Sequence, residues 1–300
     1  MSQNNGQTGI ILKSLAGFYD VEDSLTKEII TCRGRGLFRK SGFILLVGDH
    51  VEFDINKDGS GYIKNVHERK NELIRPPIAN VGLALVVFSA KEPAFNIKFL
   101  DRLLAVIEDK HIEPVIVISK VDLLTKQEYL SLCEILDYYR DIGYKVLEIS
   151  TYKRAGLEAV RELFDHEIVV VCGQSGVGKS SLLNAIDEEL NIEVNEISKA
   201  LGRGKHTTRH VELHKIAGGL VADTPGFSAL DLNEMEATAL RESFVEFVKL
   251  QNSCKFRGCM HVNEPNCKIK EAVETGNIIN TRYENYLQLL DEINNRKIKY

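Results

Sequence analysis

Residues 173–180 of this chain constrain its fold more than any other stretch. They read Gly173-Gln174-Ser175-Gly176-Val177-Gly178-Lys179-Ser180, after the apolar run IVVVC and before SSLLNAI. This is the full Walker A pattern in the strand-turn-helix setting that it requires. Its glycines let successive backbone N–H groups turn inward and cradle phosphates at a helix N-terminus. Lys179 is expected to reach the β- and γ-phosphates and Ser180 to hold Mg²⁺, with Ser181 completing the phosphate-side set. Such a loop needs a mostly parallel α/β sheet around it.

The flanking sequence supplies one. The runs LALVVF, VIVIS, KVLEIS and EIVVVC alternate with FLDRLLAVIED, KQEYLSLCEILDYYRDI and GLEAVRELF. Near-continuous apolar strands alternating with amphipathic helices predict a doubly wound sheet covered on both faces. It is assigned to residues 73–230. Before it, residues 1–72 read as short strands (GIILKSLAGFYDVE, EIITCRG, LVGDHVEFDI, SGYIKNVHE) punctuated by glycines. That pattern predicts a small β-barrel of the OB type. Pro76–Pro77 mark the boundary between the two, since consecutive prolines end regular structure. Residues 231–300 hold two helical stretches, NEMEATALRESFVEFVKLQ and YENYLQLLDEINNRKIKY, with a cysteine cluster between them.

Walker A does not choose the base. Ser119-Lys120-Val121-Asp122 follows VIVIS and is similar to the guanine-specificity motif. There Asp122 would accept from the guanine N1–H and exocyclic amine, which adenine cannot offer, with Lys120 over the base. Ser150–Thr151 ends KVLEIS, where a backbone N–H would meet the guanine O6. Asp223-Thr-Pro-Gly226 follows GGLVAD; Asp223 would reach Mg²⁺ through water and the Gly226 N–H would sense the γ-phosphate. The order is unusual. In Ras-like GTPases Walker A comes first, whereas here the base motifs precede it, so the domain reads as circularly permuted. Permutation is tolerated where termini lie close together on the surface. The chain therefore leaves the nucleotide-sensing loop directly into the C-terminal block.

Cys254, Cys259, His261 and Cys267 supply three thiols and an imidazole within a short span, which matches a closed Cys₃His zinc site of structural type. A small block needs such a staple. In the barrel, Arg33, Arg35, Arg39 and Lys40 cluster around Phe38. Two readings stay open: a solvated loop, or a phosphate-tracking patch with an aromatic ring for stacking. The net charge of −5 excludes a chain that is basic everywhere but permits a local basic face. The polar start MSQNNGQTG has neither a basic nor an apolar leader region, and no apolar run reaches membrane-spanning length. A cytoplasmic chain with no membrane partner is expected.

An OB barrel, a permuted G domain and a CxxxxCxH…EPxC zinc module together resemble the RsgA family of small-ribosomal-subunit-dependent GTPases, also called YjeQ or YloQ, over essentially the whole chain. Gly202-Arg-Gly-Lys-His206-Thr207-Thr208-Arg209 is similar to the family's switch I, usually GRGRHTT. Ser119 stands where Asn or Thr is usual, Thr151 where Ala is usual, and Lys205 where Arg is usual. The resemblance implies GTP hydrolysis stimulated by the small subunit, a role in its late maturation, rRNA contacts through the barrel and zinc modules, and competition by guanosine tetra- and pentaphosphate. A monomer is expected.

The Gln that orients water in Ras-like enzymes is replaced by Phe227. The water must then be oriented by His206 or by the partner; histidine, titrating near neutrality, suits the task. Thr207 or Thr208 would complete the Mg²⁺ shell, Thr208 being favoured. One rival is a nucleotide-dependent RNA-binding switch with negligible turnover. An ATPase or kinase is disfavoured by the SKVD loop.

Overall fold

In the computed structural model of the chain, the residues described are 6–74, 76–188, 211–223 and 232–296, without the side chains of Leu37, Arg39, Lys40 and Asp223. The N-terminal strands β1 (Gln7–Leu15), β2 (Phe18–Asp23), β3 (Ile29–Gly34), β4 (His50–Ile55) and β5 (Gly61–Val66) pair in the order β1-β2-β3-β5-β4, and β4 returns to β1. This is the closed five-stranded barrel expected of an OB fold. The run GIILKSLAGFYDVE, expected as one strand, is instead a hairpin. Ala16 (φ 50°) and Gly17 (φ 84°) both take the left-handed region, as a two-residue hairpin turn of primed type demands.

The two prolines do end a strand, β6 (Glu72–Ile74), but at a tight turn and not at a linker. A small hairpin, β6 (Glu72–Ile74) with β7 (Pro77–Ala79), spans them and buries Leu73 and Ile78. Pro77 opens its strand, where a missing N–H is tolerated. The Asn71 amide donates to Val81 O and accepts from Val81 N (2.8 and 2.9 Å), and the Asn80 amide donates to Gly48 O at 2.9 Å. The flanks of the hairpin are therefore clamped to each other and to the barrel.

Strands β8 (Leu83–Ser89), β9 (Glu113–Ser119), β10 (Lys145–Glu148), β11 (Ile168–Cys172) and β13 (Gly219–Asp223) run parallel in the order β10-β9-β8-β11-β13. Successive β8 residues face opposite ways. Ala84, Val86 and Phe88 pack with α2 (Ile97–Asp109) and α3 (Lys126–Ile142); Leu83, Leu85 and Val87 pack with α4 (Leu157–Arg161) and α5 (Lys179–Ile186). α3 starts on a capping box, with Thr125 accepting from Glu128 N, and ends on left-handed Gly143. Strand β12 (Glu212–Ile216) pairs antiparallel with β13 and, at Lys13↔Glu212, with β1. That pair, reinforced by a 2.8 Å Lys13–Glu212 ion pair, joins barrel and central sheet into one eleven-stranded sheet.

The C-terminal helices are α6 (Ala237–Glu242), α7 (Val245–Gln251), α8 (Lys268–Glu274) and α9 (Asn280–Asn295). The first expected helix is broken in two. Ser243 Oγ donates back to Ala239 O at 2.8 Å, and the extended backbone of Phe244 turns its ring onto Phe247 and Tyr286. The module docks on α2 through a fully buried charge cluster. Arg282 donates to Asp101 Oδ1 (2.5 Å) and Glu246 Oε1 (2.8 Å), and Tyr139 and Asn285 donate to the Asp101 carboxylate (2.6 and 2.7 Å). Among the described residues, no helix is long and apolar enough to cross a membrane.

Candidate nucleotide site and metal centre

Walker A, the SKVD loop and Ser150–Thr151 each lie just beyond a parallel strand. Walker A leaves β11 and enters α5, and Gly173, Gly176 and Gly178 all have positive φ (136°, 84° and 97°). At Gly173 a Cβ atom would sit 2.0 Å from Val87 O, so only glycine lets the loop pass this close to β8. Lys179 donates to Gly173 O and Gln174 O at 2.8 and 2.7 Å. Burial holds its ammonium below the ordinary lysine value. Ser180 and Val177 are buried, Ser181 is half-buried, and Ser175 is exposed at the tip.

The SKVD loop leaves β9 and reaches across to this turn. Ser119 Oγ lies 2.5 Å from Val177 O and 3.1 Å from Phe88 O. The serine in place of Asn or Thr is thus long enough to touch the phosphate loop. Lys120, in the left-handed region at φ 58°, donates to Gly176 O at 2.8 Å and to Glu92 O. Asp122 sits half-buried in a short 3-10 turn, Val121–Leu123. The third element is tied to the second: Val121 N donates to Ile149 O at 3.4 Å. Ser150 is buried and its backbone exchanges hydrogen bonds with Ala155 (3.1 and 3.0 Å), leaving Thr151 half-buried beside it. Three motifs separated in sequence converge on one side of the sheet.

The carbonyl of Glu92, in the turn after β8, was not foreseen as a partner of Lys120. Its signal is Ser89, whose Oγ accepts from Lys91 N and Glu92 N (3.3 and 3.0 Å) and sets that turn. Such a strand-end Ser followed by a Pro is readable as a turn but not as part of a site. Asp223 ends β13, and its side chain lies outside the described set. His206, Thr207, Thr208, Gly226 and Phe227 lie outside the described residues.

Cys254, Cys259, His261 and Cys267 bring their ligand atoms within 4.8 Å of one another. The segment between α7 and α8 that carries them has no strand or helix of its own. His261 faces the thiols through Nδ1, 3.3 Å from Cys267 Sγ and 3.8 Å from Cys254 Sγ, while its Nε2 is buried with no hydrogen-bond partner. Glu264 pins the turn by accepting from Met260 N and Val262 N (2.6 and 2.8 Å), and Tyr283 and Tyr286 donate to His261 O and Met260 O (2.6 and 2.8 Å). Burial pushes the Cys259 thiol up to about 12 and the His261 imidazole down to about 4. Buried thiols with no cation at hand stay protonated, and a dication among them reverses that. The cluster can hold a metal ion, and its donor set suits a four-coordinate one.

In the barrel, Arg33 is exposed on β3 with its guanidinium 4.5 Å from the centre of the Phe18 ring, and Arg35 is half-buried between β3 and the short helix α1 (Gly36–Ser41). Phe38, the ring expected to stack, is instead half-buried against Phe43 (centroids 5.8 Å apart). The Arg39 and Lys40 side chains lie outside the described set.

Comparison with known proteins agrees over the whole length. Residues 66–233 match the RsgA GTPase family and residues 8–63 the RsgA N-terminal domain. The chain is 52% identical to the small ribosomal subunit biogenesis GTPase RsgA of Geobacillus sp. (strain WCH70), covering 97% of this chain and 99% of that one. It is 51% identical to RsgA 2 of Oceanobacillus iheyensis, over the same shares. The crystal structure of YloQ, a circularly permuted GTPase, superposes with a TM-score of 0.85 at 42% identity, covering 99% of this chain and 98% of that one. YjeQ from Thermotoga maritima does so at 0.86 and 37%, covering 97% and 99%.

Proposed function

We propose, from the premise that the chain belongs to the RsgA family of circularly permuted GTPases and is a GTP-hydrolysing enzyme, that it acts in assembly of the small ribosomal subunit, binding that particle and its rRNA and hydrolysing GTP on it late in maturation. One observation carries the guanine-nucleotide part. Lys120 and Ser119 bond to Gly176 O and Val177 O of the phosphate loop, which lies more than fifty residues later in the chain. A base motif and a phosphate cradle that touch each other form one site. In this reading Asp122 takes the guanine edge, Lys120 lies along the base, and the backbone at Ser150–Thr151 meets the O6. The 173–178 loop wraps the phosphates. Lys179 exchanges its two loop carbonyls for phosphate oxygens, and Ser180, with Thr208, holds the Mg²⁺ that neutralises phosphate charge.

Asp223 and Gly226 complete the γ-phosphate side, and His206 orients the attacking water in place of the missing Gln. The Cys₃His knot holds one zinc with a structural role. Arg33, Arg35, Arg39 and Lys40 contact rRNA phosphates, and guanosine tetra- or pentaphosphate competes with GTP. Residues 1–72, 73–230 and 231–300 form the three functional units, acting as a monomer. The test is single-turnover GTP hydrolysis with and without purified small subunits. The particle should raise the rate strongly, and His206→Ala should remove about 10²–10⁴-fold of the stimulated rate while GTP still binds. No response to the particle would remove the ribosomal assignment; a wild-type rate for His206→Ala would pass water orientation to the ribosome.

A further inference from the structure

The outer face of the barrel carries a row of side chains that the nucleotide chemistry does not use. Phe18 on β2 is in register with Arg33 on β3, and Arg33 with Tyr62 on β5. Residues in register on adjacent strands stand side by side on one face. Phe18 and Tyr62 are 41% and 38% exposed, large values for aromatic rings on a sheet, and Arg33 is exposed between them. The inner face fixes this alignment. One residue along, Cys32 faces Gly61, where a Cβ atom would lie 2.1 Å from the Cys32 sulfur, so β5 presses against β3 with no side chain between. Strands about 4.7–4.9 Å apart place the two rings roughly 10 Å from each other, with the guanidinium in the gap.

The charges on this face are unequal in a telling way. Asp54, next along the row, is neutralised by Lys64 at 2.8 Å, whereas Asp20 accepts from a neutral hydroxyl, Thr31 Oγ1 at 2.8 Å. Among the described residues, Arg33 enters no ion pair and lies instead over the Phe18 ring. A guanidinium in no ion pair, set between two exposed rings, suits a ligand with flat faces and a phosphate backbone. Stacking needs unpaired bases, because a duplex offers no base faces along its length.

We infer that the Phe18–Arg33–Tyr62 row is a stacking platform for unpaired nucleotides of RNA, one base on the Tyr62 ring and one on the Phe18–Arg33 pair, with Arg33 also meeting a phosphate. The inference rests on the proposed rRNA partner and specifies the form of RNA that this face takes: single-stranded, not helical.

The test uses the full chain, a fluorescent single-stranded RNA dodecamer and a duplex RNA of the same length, with small-subunit binding measured in parallel. The single strand should bind more tightly. Tyr62→Ala and Phe18→Ala should each weaken it roughly tenfold to a hundredfold, the range for loss of one stacked base. Tyr62→Phe should keep native affinity, and the ring variants should leave the salt slope unchanged. Arg33→Ala should lower that slope by about one. Thermal melts confirm that each variant folds. Ring variants that bind the single strand as the native chain does, or a duplex bound equally well, would overturn the platform. So would a native chain that binds subunits but no single strand, and that result leaves the ribosomal reading standing. Failure to bind subunits at all would count against that wider reading instead.

Discussion

At the phosphate loop, the carbonyls and the side chains that meet them are satisfied within the protein. Lys179 is held by Gly173 O and Gln174 O, Ser119 by Val177 O, and Lys120 by Gly176 O. Strand β11 and helix α5, both packed in the core, fix the two ends of the turn. At the Cys₃His knot the polar atoms instead converge on one another. Three thiols and an imidazole meet within 4.8 Å, on a stretch that has no strand or helix. One loop takes its shape from the sheet and lends it to a ligand. The other has no strand or helix behind it, only the Glu264, Tyr283 and Tyr286 hydrogen bonds and whatever its four ligand atoms hold. Losing the ligand should therefore cost the first site only binding and the second site its fold.

The largest expected effect breaks the knot. Purified chain should carry one zinc by elemental analysis. Chelation or Cys259→Ser should remove it and unfold residues around the cluster, since structural zinc supplies about 10–16 kcal/mol in small modules. Proteolysis should then cut between α7 and α8, while removing GTP should expose no comparable site. Retained resistance after complete metal removal would erase the contrast.

The next effect lies at the docking of the module. Arg282→Met leaves Asp101 and Glu246 buried without their cation. Breaking such a cluster from one side typically costs about 3–5 kcal/mol. A melting temperature within a degree of the native value would show the cluster to be dispensable.

Ser119→Ala sharpens the contrast from the nucleotide side. It removes one hydroxyl between the base loop and the phosphate loop, a bond of about 0.5–1.5 kcal/mol. GTP affinity should fall by roughly two- to tenfold with the fold intact, as read by isothermal titration. A loss of folding would mean that this loop, too, depends on a cross-link.

What was legible in the sequence follows the same division. Walker A, SKVD and Ser150 could be read because each sits at the end of an apolar strand, where local pattern and site geometry coincide. The Cys/His spacing was legible because no apolar core explains three cysteines and a histidine so close together. The Arg282 cluster was not legible: single charges on amphipathic helices look solvated, and burial depends on partners some 180 residues away. The β1–β12 pairing was equally hidden, since one register contact across about 200 residues leaves no periodic trace. Phe18 and Tyr62 escaped because their neighbourhood with Arg33 exists only in the strand register.

The central claim is that motifs in permuted order build one guanine site, with Asp122 as its base contact. Competition of GTP, ATP and XTP for the native chain and for Asp122→Asn tests it most directly. The native chain should prefer GTP strongly. Asp122→Asn should lose about 1.5–3 kcal/mol per charged hydrogen bond toward GTP and gain relative preference for XTP, because Asn offers one donor where guanine needs two acceptors. Unchanged GTP affinity in Asp122→Asn, or ATP competing as well as GTP in the native chain, would contradict the account.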